Sequence, residues 1–197
     1  MYLSKVWRDF FINVEPRLFQ TPKVLAYRNT QHSACGPLTS NNAFFCPADN
    51  TIYYDELFLA AMMKSAAASL GSDGDYAAVV IIAHEWGHAA AYAEGRHRRI
   101  YPFGKLQSEQ LADCLAGVVT RLAERDGKLA PGDVAEAEFI IYRLGTVDLA
   151  GNAPKTLQDG FKRLASHGEP ADRLRAFRHG YGGTAPQCLA DLKIGGY

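Results

Sequence analysis

The pentapeptide HEWGH at residues 84–88 constrains this chain more than any other part of its sequence. It lies within a stretch over residues 76–93 that is rich in alanine and aliphatic residues and contains no proline. The stretch therefore predicts a helix, with Asp75 as its N-cap. Because residues four apart lie on one face of a helix, His84 and His88 should present their imidazoles in the same direction.

The polar groups of this stretch argue against insertion into a membrane. A membrane-spanning helix could not carry His84, Glu85 and His88 cheaply. The N-terminus has charged residues among its apolar ones and no small-residue cleavage site, so we expect no signal peptide within the chain. Any membrane anchor would then lie in a segment absent from this sequence.

The charge balance argues against a nucleic-acid partner. The chain of 197 residues carries 21 Lys and Arg against 21 Asp and Glu, a formal net charge of zero. A nucleic-acid-binding protein depends on a surplus of basic residues that face phosphates. The charge balance does not exclude peptides or small molecules as substrates.

A second predicted helix, over residues 106–124, supplies the carboxylates that the histidine pair would need to hold a metal. HExxH on a helix is a Zn²⁺-binding pattern in which Glu85 stands beside the open coordination position. A catalytic zinc needs a third protein ligand, and Glu109 is positioned to provide it. Asp113, one turn further, could accept the second N–H of a zinc-bound histidine. The alternative is that these side chains merely face solvent or pair with each other.

The rest of the chain predicts an α+β protein with a small β-rich front and a mostly helical body. Residues 24–27 form a predicted strand, and residues 43–46 and 51–54 form a predicted hairpin. Further helices are predicted over residues 1–15, from residue 55 to the interruption at residues 71–74, and over residues 134–144, 155–165 and 170–178. Without a linker or repeat, the chain is expected to form a single domain over residues 1–197.

Several motifs together resemble those of a known family. In chain order they are SACG, FFCPADNTIYYD, HEWGH, SEQLADCLAG and HGEPADR. They are similar to the bacterial neutral zinc metallopeptidase family and, more distantly, to the gluzincins. The resemblance implies a zincin-like (gluzincin) fold and one Zn²⁺ per chain, held by His84, His88 and Glu109. It also implies that Glu85 is the general base and that Asp113 supports a zinc ligand.

Two residues of the C-terminal part are further candidates. His167 lies in a segment similar to one near the gluzincin active site, where it could stabilise the oxyanion of the reaction. It could equally cap or bridge helices. Arg173 could hold His167 or a carboxylate in place, but we expect it to lie on a helix surface.

The predicted strand that contains Ala43 and Phe44 resembles the edge strand along the gluzincin cleft. An unpaired edge can form backbone hydrogen bonds with an extended peptide, which would allow binding with little sequence preference. An ordinary hairpin strand fits the sequence equally well.

The four cysteines suggest two disulfides. Cys35 and Cys46 flank a short loop, and Cys114 and Cys188 would tie the C-terminal tail to the Glu109 helix. Such bridges would indicate an extracytoplasmic location, where disulfides persist. Four reduced thiols, which would suit the cytoplasm, are the alternative.

The sequence thus predicts a zinc-dependent endopeptidase acting on peptides or proteins. Two other functions stay open. One is a non-enzymatic zinc protein that uses this fold as an interaction module, and the other is a metal hydrolase with a non-peptide substrate.

Overall fold

The structure is a computed structural model, and it describes residues 5–6, 20–29, 31–97, 104–145 and 168–191. The helix predicted over residues 1–15 lies outside the described residues except for Lys5 and Val6. The helix predicted over residues 155–165 lies outside them entirely.

The front of the molecule is a sheet of three strands. They are β1 (Lys23–Tyr27), β4 (Ala43–Cys46) and β5 (Thr51–Asp55), in the order β1-β5-β4. β4 and β5 form the predicted antiparallel hairpin, with Cys46 opposite Thr51. The parallel pairing of β1 with β5 was not predicted, because it joins segments that are distant in sequence. A minor hairpin of β2 (His32–Ser33) and β3 (Gly36–Pro37) occupies the predicted loop.

Six helices make up the remainder of the described chain. They are α1 (Glu56–Leu70), α2 (Asp75–His97), α3 (Lys105–Arg125), α4 (Asp133–Gly145), α5 (Pro170–Gly182) and α6 (Ala185–Asp191). The small sheet and the mostly helical remainder confirm the predicted α+β class. Only α6 was not anticipated. No described helix is both long and apolar enough to cross a membrane.

The N-terminus of α2 differs from the prediction. Asp75 is the first helical residue and not the N-cap. Glu136 of α4 satisfies the free backbone groups instead, because its two carboxylate oxygens accept the N–H groups of Gly74 at 2.8 Å and Tyr76 at 2.9 Å. A side chain 60 positions away in sequence thus performs the capping that a local aspartate was expected to provide.

Helix α2 is the centre of the core. It packs against α1, α3, α4 and β4, so apolar residues on more than one of its faces are buried, among them Tyr76, Val80, Ile81, Trp86 and Ala90. A helix buried on several sides must be apolar nearly all round, which explains the continuous apolar run in the sequence.

Gly87 lets α2 approach α3 closely. A Cβ atom at this position would lie 2.7 Å from the carbonyl oxygen and 2.8 Å from the Cα of Ala112. Real side chains do not tolerate such distances to backbone atoms, so only glycine allows this crossing. The crossing brings the middle of α2 against the part of α3 that carries Glu109 and Asp113.

Both predicted disulfides are present. Cys35–Cys46 joins residues 11 apart and attaches the loop before β4 to the end of that strand. Cys114–Cys188 joins residues 74 apart and attaches α6 to α3. No described cysteine is free.

The longer disulfide should contribute more to stability. In the chain-entropy model, closing loops of these two lengths stabilises the fold by about 4 kcal/mol for Cys114–Cys188 and about 3 kcal/mol for Cys35–Cys46. We expect Cys114→Ala/Cys188→Ala to lower the melting temperature more than Cys35→Ala/Cys46→Ala, as measured by circular dichroism. Mass spectrometry of the unreduced, alkylated protein supplies the control, since four modified cysteines would contradict both bridges.

Replacement of Gly87 should separate the two central helices. We expect Gly87→Ala to lower the free energy of unfolding by about 1–3 kcal/mol, because the new methyl group forces the backbones apart. Urea unfolding measures this loss. Gly182→Ala in α5 is the matched control, since its Cβ would meet no atom within 4 Å. Equal stability of the two variants would show that the close approach is unimportant.

Candidate metal centre

Three side chains from two helices converge on one point. The Nε2 atoms of His84 and His88 in α2 are 3.0 Å apart. Glu109 of α3 approaches both, with Oε2 at 3.4 Å from His84 Nε2 and Oε1 at 3.6 Å from His88 Nε2. His84 and Glu109 are buried, and His88 is partly buried. The three residues that the sequence singled out therefore do lie together.

These separations are those expected around a tetrahedral zinc ion. Zinc binds imidazole nitrogen at 2.0–2.1 Å and carboxylate oxygen at 2.0–2.2 Å, so two ligand atoms of a tetrahedral site are about 3.3–3.6 Å apart. The observed distances of 3.0, 3.4 and 3.6 Å agree with this to within a few tenths of an ångström. The donor set of two nitrogens and one carboxylate is also one that zinc favours.

Asp113 forms a hydrogen bond with Nδ1 of His84, the ring nitrogen that does not face His88. Its Oδ1 lies 2.8 Å from His84 Nδ1, so the imidazole donates this proton to the carboxylate and directs Nε2 at His88 and Glu109. Asp113 is completely buried. Burial raises the pKa of this carboxyl, but the charges of Arg173 and His84 and their hydrogen bonds together outweigh burial and hold the pKa below its usual range.

Arg173 is not on a surface, as the sequence had suggested, but is 2% exposed in the interior. Its guanidinium donates two hydrogen bonds to Asp113, from Nε to Oδ2 at 2.7 Å and from Nη2 to Oδ1 at 2.8 Å. The prediction failed because helical periodicity cannot show that α5 packs against α3. The result is a chain of contacts from Arg173 through Asp113 to His84.

Ser108 plays the corresponding part for His88, and sequence reasoning missed it. Its hydroxyl lies 3.1 Å from His88 Nδ1. The available signal was its position directly before Glu109, which places both residues at the same level of α3. Both imidazoles thus have their Nδ1 atoms engaged, leaving the Nε2 atoms to face each other.

The protonation of the two histidines is unequal. Burial and the neighbouring His84 lower the pKa of His88 to about 3. Burial also lowers the pKa of His84, but Asp113 more than reverses this and raises it to about 10. Protonated His84 can therefore donate its Nε2 proton to Nε2 of neutral His88. A cation bound there would replace that proton.

Glu85 lies beside the histidines and against the sheet. Its Oε2 accepts the backbone N–H of Phe45 in β4 at 2.9 Å. Burial raises the pKa of Glu85. The charge of His84 lowers this pKa, the charge of Glu109 raises it, and the resulting value is about 7. A carboxylate with a pKa near neutrality is well suited to taking up and releasing protons.

β4 is an edge of the three-stranded sheet, and it faces this centre. Asp55 N–H bonds to Asn42 C=O, whereas Phe45 N–H points away from β5 to Glu85. Since backbone groups alternate along an antiparallel strand, Ala43 and Phe45 face outward. Phe44, which the sequence grouped with Ala43, has its backbone turned toward β5. The prediction did not resolve this one-residue difference in orientation.

The other sequence candidate, His167, lies outside the described residues. Arg173, which follows it in sequence, has its guanidinium engaged by Asp113, with Glu109 Oε2 3.7 Å away.

Comparison with known proteins identifies relatives of undetermined function. The chain is 30% identical over 186 residues to the uncharacterized protein YpfJ of Escherichia coli K12, a match that covers 87% of this chain and 62% of YpfJ. It is 28% identical over 107 residues to the uncharacterized protein Rv2575 of Mycobacterium tuberculosis, covering 51% of this chain and 36% of that protein. The chain thus spans less than two thirds of these relatives. No solved structure matches it.

A family model covers almost the whole sequence. It matches residues 3–190, and its description is "Putative neutral zinc metallopeptidase". This range includes both helices of the histidine and carboxylate cluster and both disulfides. The chain therefore belongs to this zinc metallopeptidase family.

Proposed function

We propose that the protein is a zinc-dependent endopeptidase in which His84, His88 and Glu109 hold one zinc ion. The observation that carries this proposal is the set of distances between the two Nε2 atoms and the carboxylate oxygens of Glu109, which suits tetrahedral zinc. A glutamate ligand from the helix after HExxH would make the enzyme a gluzincin. Zinc at this position would polarise the scissile carbonyl and lower the pKa of a water molecule to near 7.

Asp113 and Ser108 would keep the two imidazoles in the required tautomer. With Nδ1–H of His84 donated to Asp113, only Nε2 is available to a metal. Ser108 Oγ can accept Nδ1–H of His88 in the same way. Metal uptake must displace the proton that Asp113 favours on His84, so zinc affinity should fall as the pH falls.

Glu85 would act as the general base. Its carboxylate takes a proton from the attacking water and later delivers it to the departing amine. The Phe45 N–H bond holds one of its oxygens in place and leaves the other for the proton. Burial, which raises the pKa of Glu85, favours uptake of the proton by this carboxylate.

The outer edge of β4 would bind the substrate backbone. Ala43 offers an outward N–H and C=O, and Phe45 offers an outward C=O beside the N–H used by Glu85. An extended peptide paired with these groups would lie next to Glu85 and the histidines. Phe45 also packs on Tyr92 of α2, with ring centroids 6.0 Å apart, which supports the position of the strand.

Three further features of the proposal follow from the sequence. Peptides or proteins are the proposed substrates, and nucleic acid is not a proposed partner. His167 is the candidate for stabilising the oxyanion. The two disulfides favour an extracytoplasmic location.

Replacement of Glu85 should separate metal binding from catalysis. We expect Glu85→Gln to retain about one zinc per chain but to cleave casein at least about 100-fold more slowly, because an amide cannot take up the proton. Elemental analysis and a casein-cleavage assay with and without a chelator measure the two properties. Glu109→Gln is the matched control, and it should lose zinc as well as activity.

The same assays distinguish the alternatives. Full activity of Glu85→Gln would eliminate Glu85 as the base. A zinc-loaded wild type that cleaves neither casein nor small amides would favour an interaction module. Cleavage of small amides or other non-peptide compounds without casein cleavage would favour a different hydrolase.

Removal of the charge on Asp113 should weaken zinc binding. We expect Asp113→Asn to reduce zinc affinity about 10–100-fold, because the amide supports the His84 tautomer less well and leaves Arg173 without its anion. Competition with a chromophoric chelator measures the affinity. Asp172→Asn is the control and should bind zinc normally, because it removes a half-buried carboxylate of α5 that pairs with Arg175 and does not contact the histidines or Glu109. An unchanged affinity in Asp113→Asn would exclude the supporting role.

A further inference from the structure

A group of acidic side chains lies at the N-terminus of α2, the helix that carries His84 and His88. Four carboxylates each present an oxygen, and these oxygens all lie within 4.8 Å of one another. They belong to Asp73 in the α1–α2 loop, Asp75 at the start of α2, and Asp133 and Glu136 in the first turn of α4. The first two are exposed and the last two are buried.

No positive charge compensates this cluster within the described part of the chain. None of the four residues takes part in an ion pair there. Burial raises the pKa of Asp133, and the carboxylates of Asp75, Glu136 and Asp73 raise it further. The hydrogen bond from the N–H of Ala130 lowers this pKa but does not cancel the rise. Four acidic groups held this close therefore repel each other unless a cation joins them.

An unsatisfied buried oxygen points to such a cation. Asp133 is 5% exposed. Its Oδ2 accepts the N–H of Ala130 at 2.8 Å, but its Oδ1 is buried and has no hydrogen-bond partner among the described residues. The hydroxyl oxygen of Ser72, next to Asp73, is also buried without a described partner. Buried polar atoms normally have partners, so two orphans beside four carboxylates indicate a missing ligand.

Helix capping does not account for the cluster. Glu136 alone is explained in this way, because both its oxygens accept backbone N–H groups at the start of α2. Each oxygen retains a second lone pair that could face a cation. The helix dipole favours Asp75 and Asp133 in the first turns of α2 and α4, but neither capping nor the dipole explains the position of Asp73 or the bare oxygen of Asp133.

We propose that this cluster, formed by Asp73, Asp75, Asp133 and Glu136, binds one calcium ion. Calcium takes six to eight oxygen ligands at 2.3–2.6 Å, so oxygens on opposite sides of the ion are about 4.6–5.2 Å apart. The spread of the four carboxylates fits within that span. Ser72 and water would complete the shell. Magnesium is less suitable, because it demands a tighter octahedron and keeps most of its water.

Calcium would fasten the start of the catalytic helix to the rest of the fold. The ion would join the α1–α2 loop, the first residue of α2 and the first turn of α4. His84 lies nine positions after Asp75, about 14 Å along the helix, so the ion would take no part in the chemistry at the histidines. Its role would be to stabilise the helix that carries them.

Thermal unfolding in different cations tests the site. The full chain is dialysed against a chelator, returned to one fixed zinc concentration, and given calcium chloride, magnesium chloride or neither. At calcium 100 times its dissociation constant we expect the melting temperature to rise by roughly 5–10 °C. Isothermal titration should give one calcium per chain. These readouts do not depend on peptidase activity, so failure of the proposed function would leave them interpretable.

Asp75→Asn and Glu56→Gln form a matched pair of variants. Each removes one carboxylate from the first turn of a helix, α2 and α1 respectively. Asp75 is exposed and belongs to the cluster, whereas Glu56 is half-buried, pairs with Arg28 and lies outside the cluster. The calcium-induced shift should be lost in Asp75→Asn and in Asp73→Asn and retained in Glu56→Gln. The proposal is overturned if wild type shows no calcium shift, if magnesium produces an equal one, or if Asp75→Asn retains it.

Discussion

A single buried carboxylate, that of Asp113, determines how the helices around the metal centre are arranged. A fully buried charge costs several kcal/mol to desolvate, and it is tolerated only when partners satisfy it. Asp113 finds them on two other helices, in the paired hydrogen bonds from Arg173 of α5 and in His84 of α2. Loss of either partner would leave the negative charge of Asp113 incompletely paired in the core. The requirement to satisfy Asp113 therefore sets the positions of α2 and α5 relative to α3.

Three consecutive residues of α3 contact three different neighbours. The backbone of Ala112 lies against Gly87 of α2, Asp113 binds His84 and Arg173, and Cys114 is bridged to Cys188 of α6. The carbonyl oxygen of Cys114 also lies where a Cβ on Gly180 of α5 would be, at 1.8 Å. Close packing at two glycines and a disulfide thus reinforce the charged contacts next to the proposed metal ligands.

The sheet meets this helical assembly at Glu85. The hydrogen bond from Phe45 N–H to Glu85 joins the free edge of β4 to the carboxylate next to the histidines. The contact of Phe45 with Tyr92 and the disulfide at Cys46 both hold the C-terminal end of the strand. In the proposed enzyme, one strand would therefore position both the general base and the peptide substrate. The N–H of Phe45 binds Glu85, and the other outward backbone groups of Ala43 and Phe45 would bind the peptide.

The sequence by itself indicated most of the helices and strands and the proposed set of metal ligands. Spacing four residues apart is sufficient to put His84 beside His88, and helix periodicity places Glu109 and Asp113 one turn apart, because these relations are local. The structure alone decided the parallel partner of β1, the burial of Arg173, the orientation of Phe44 and the capping of α2 by Glu136. The orientation of Phe44 depends on its register with Tyr53 in the hairpin, and each of the others depends on a contact between segments far apart in the chain. Such contacts arise from packing and from the need to satisfy buried charges, and local sequence patterns carry neither.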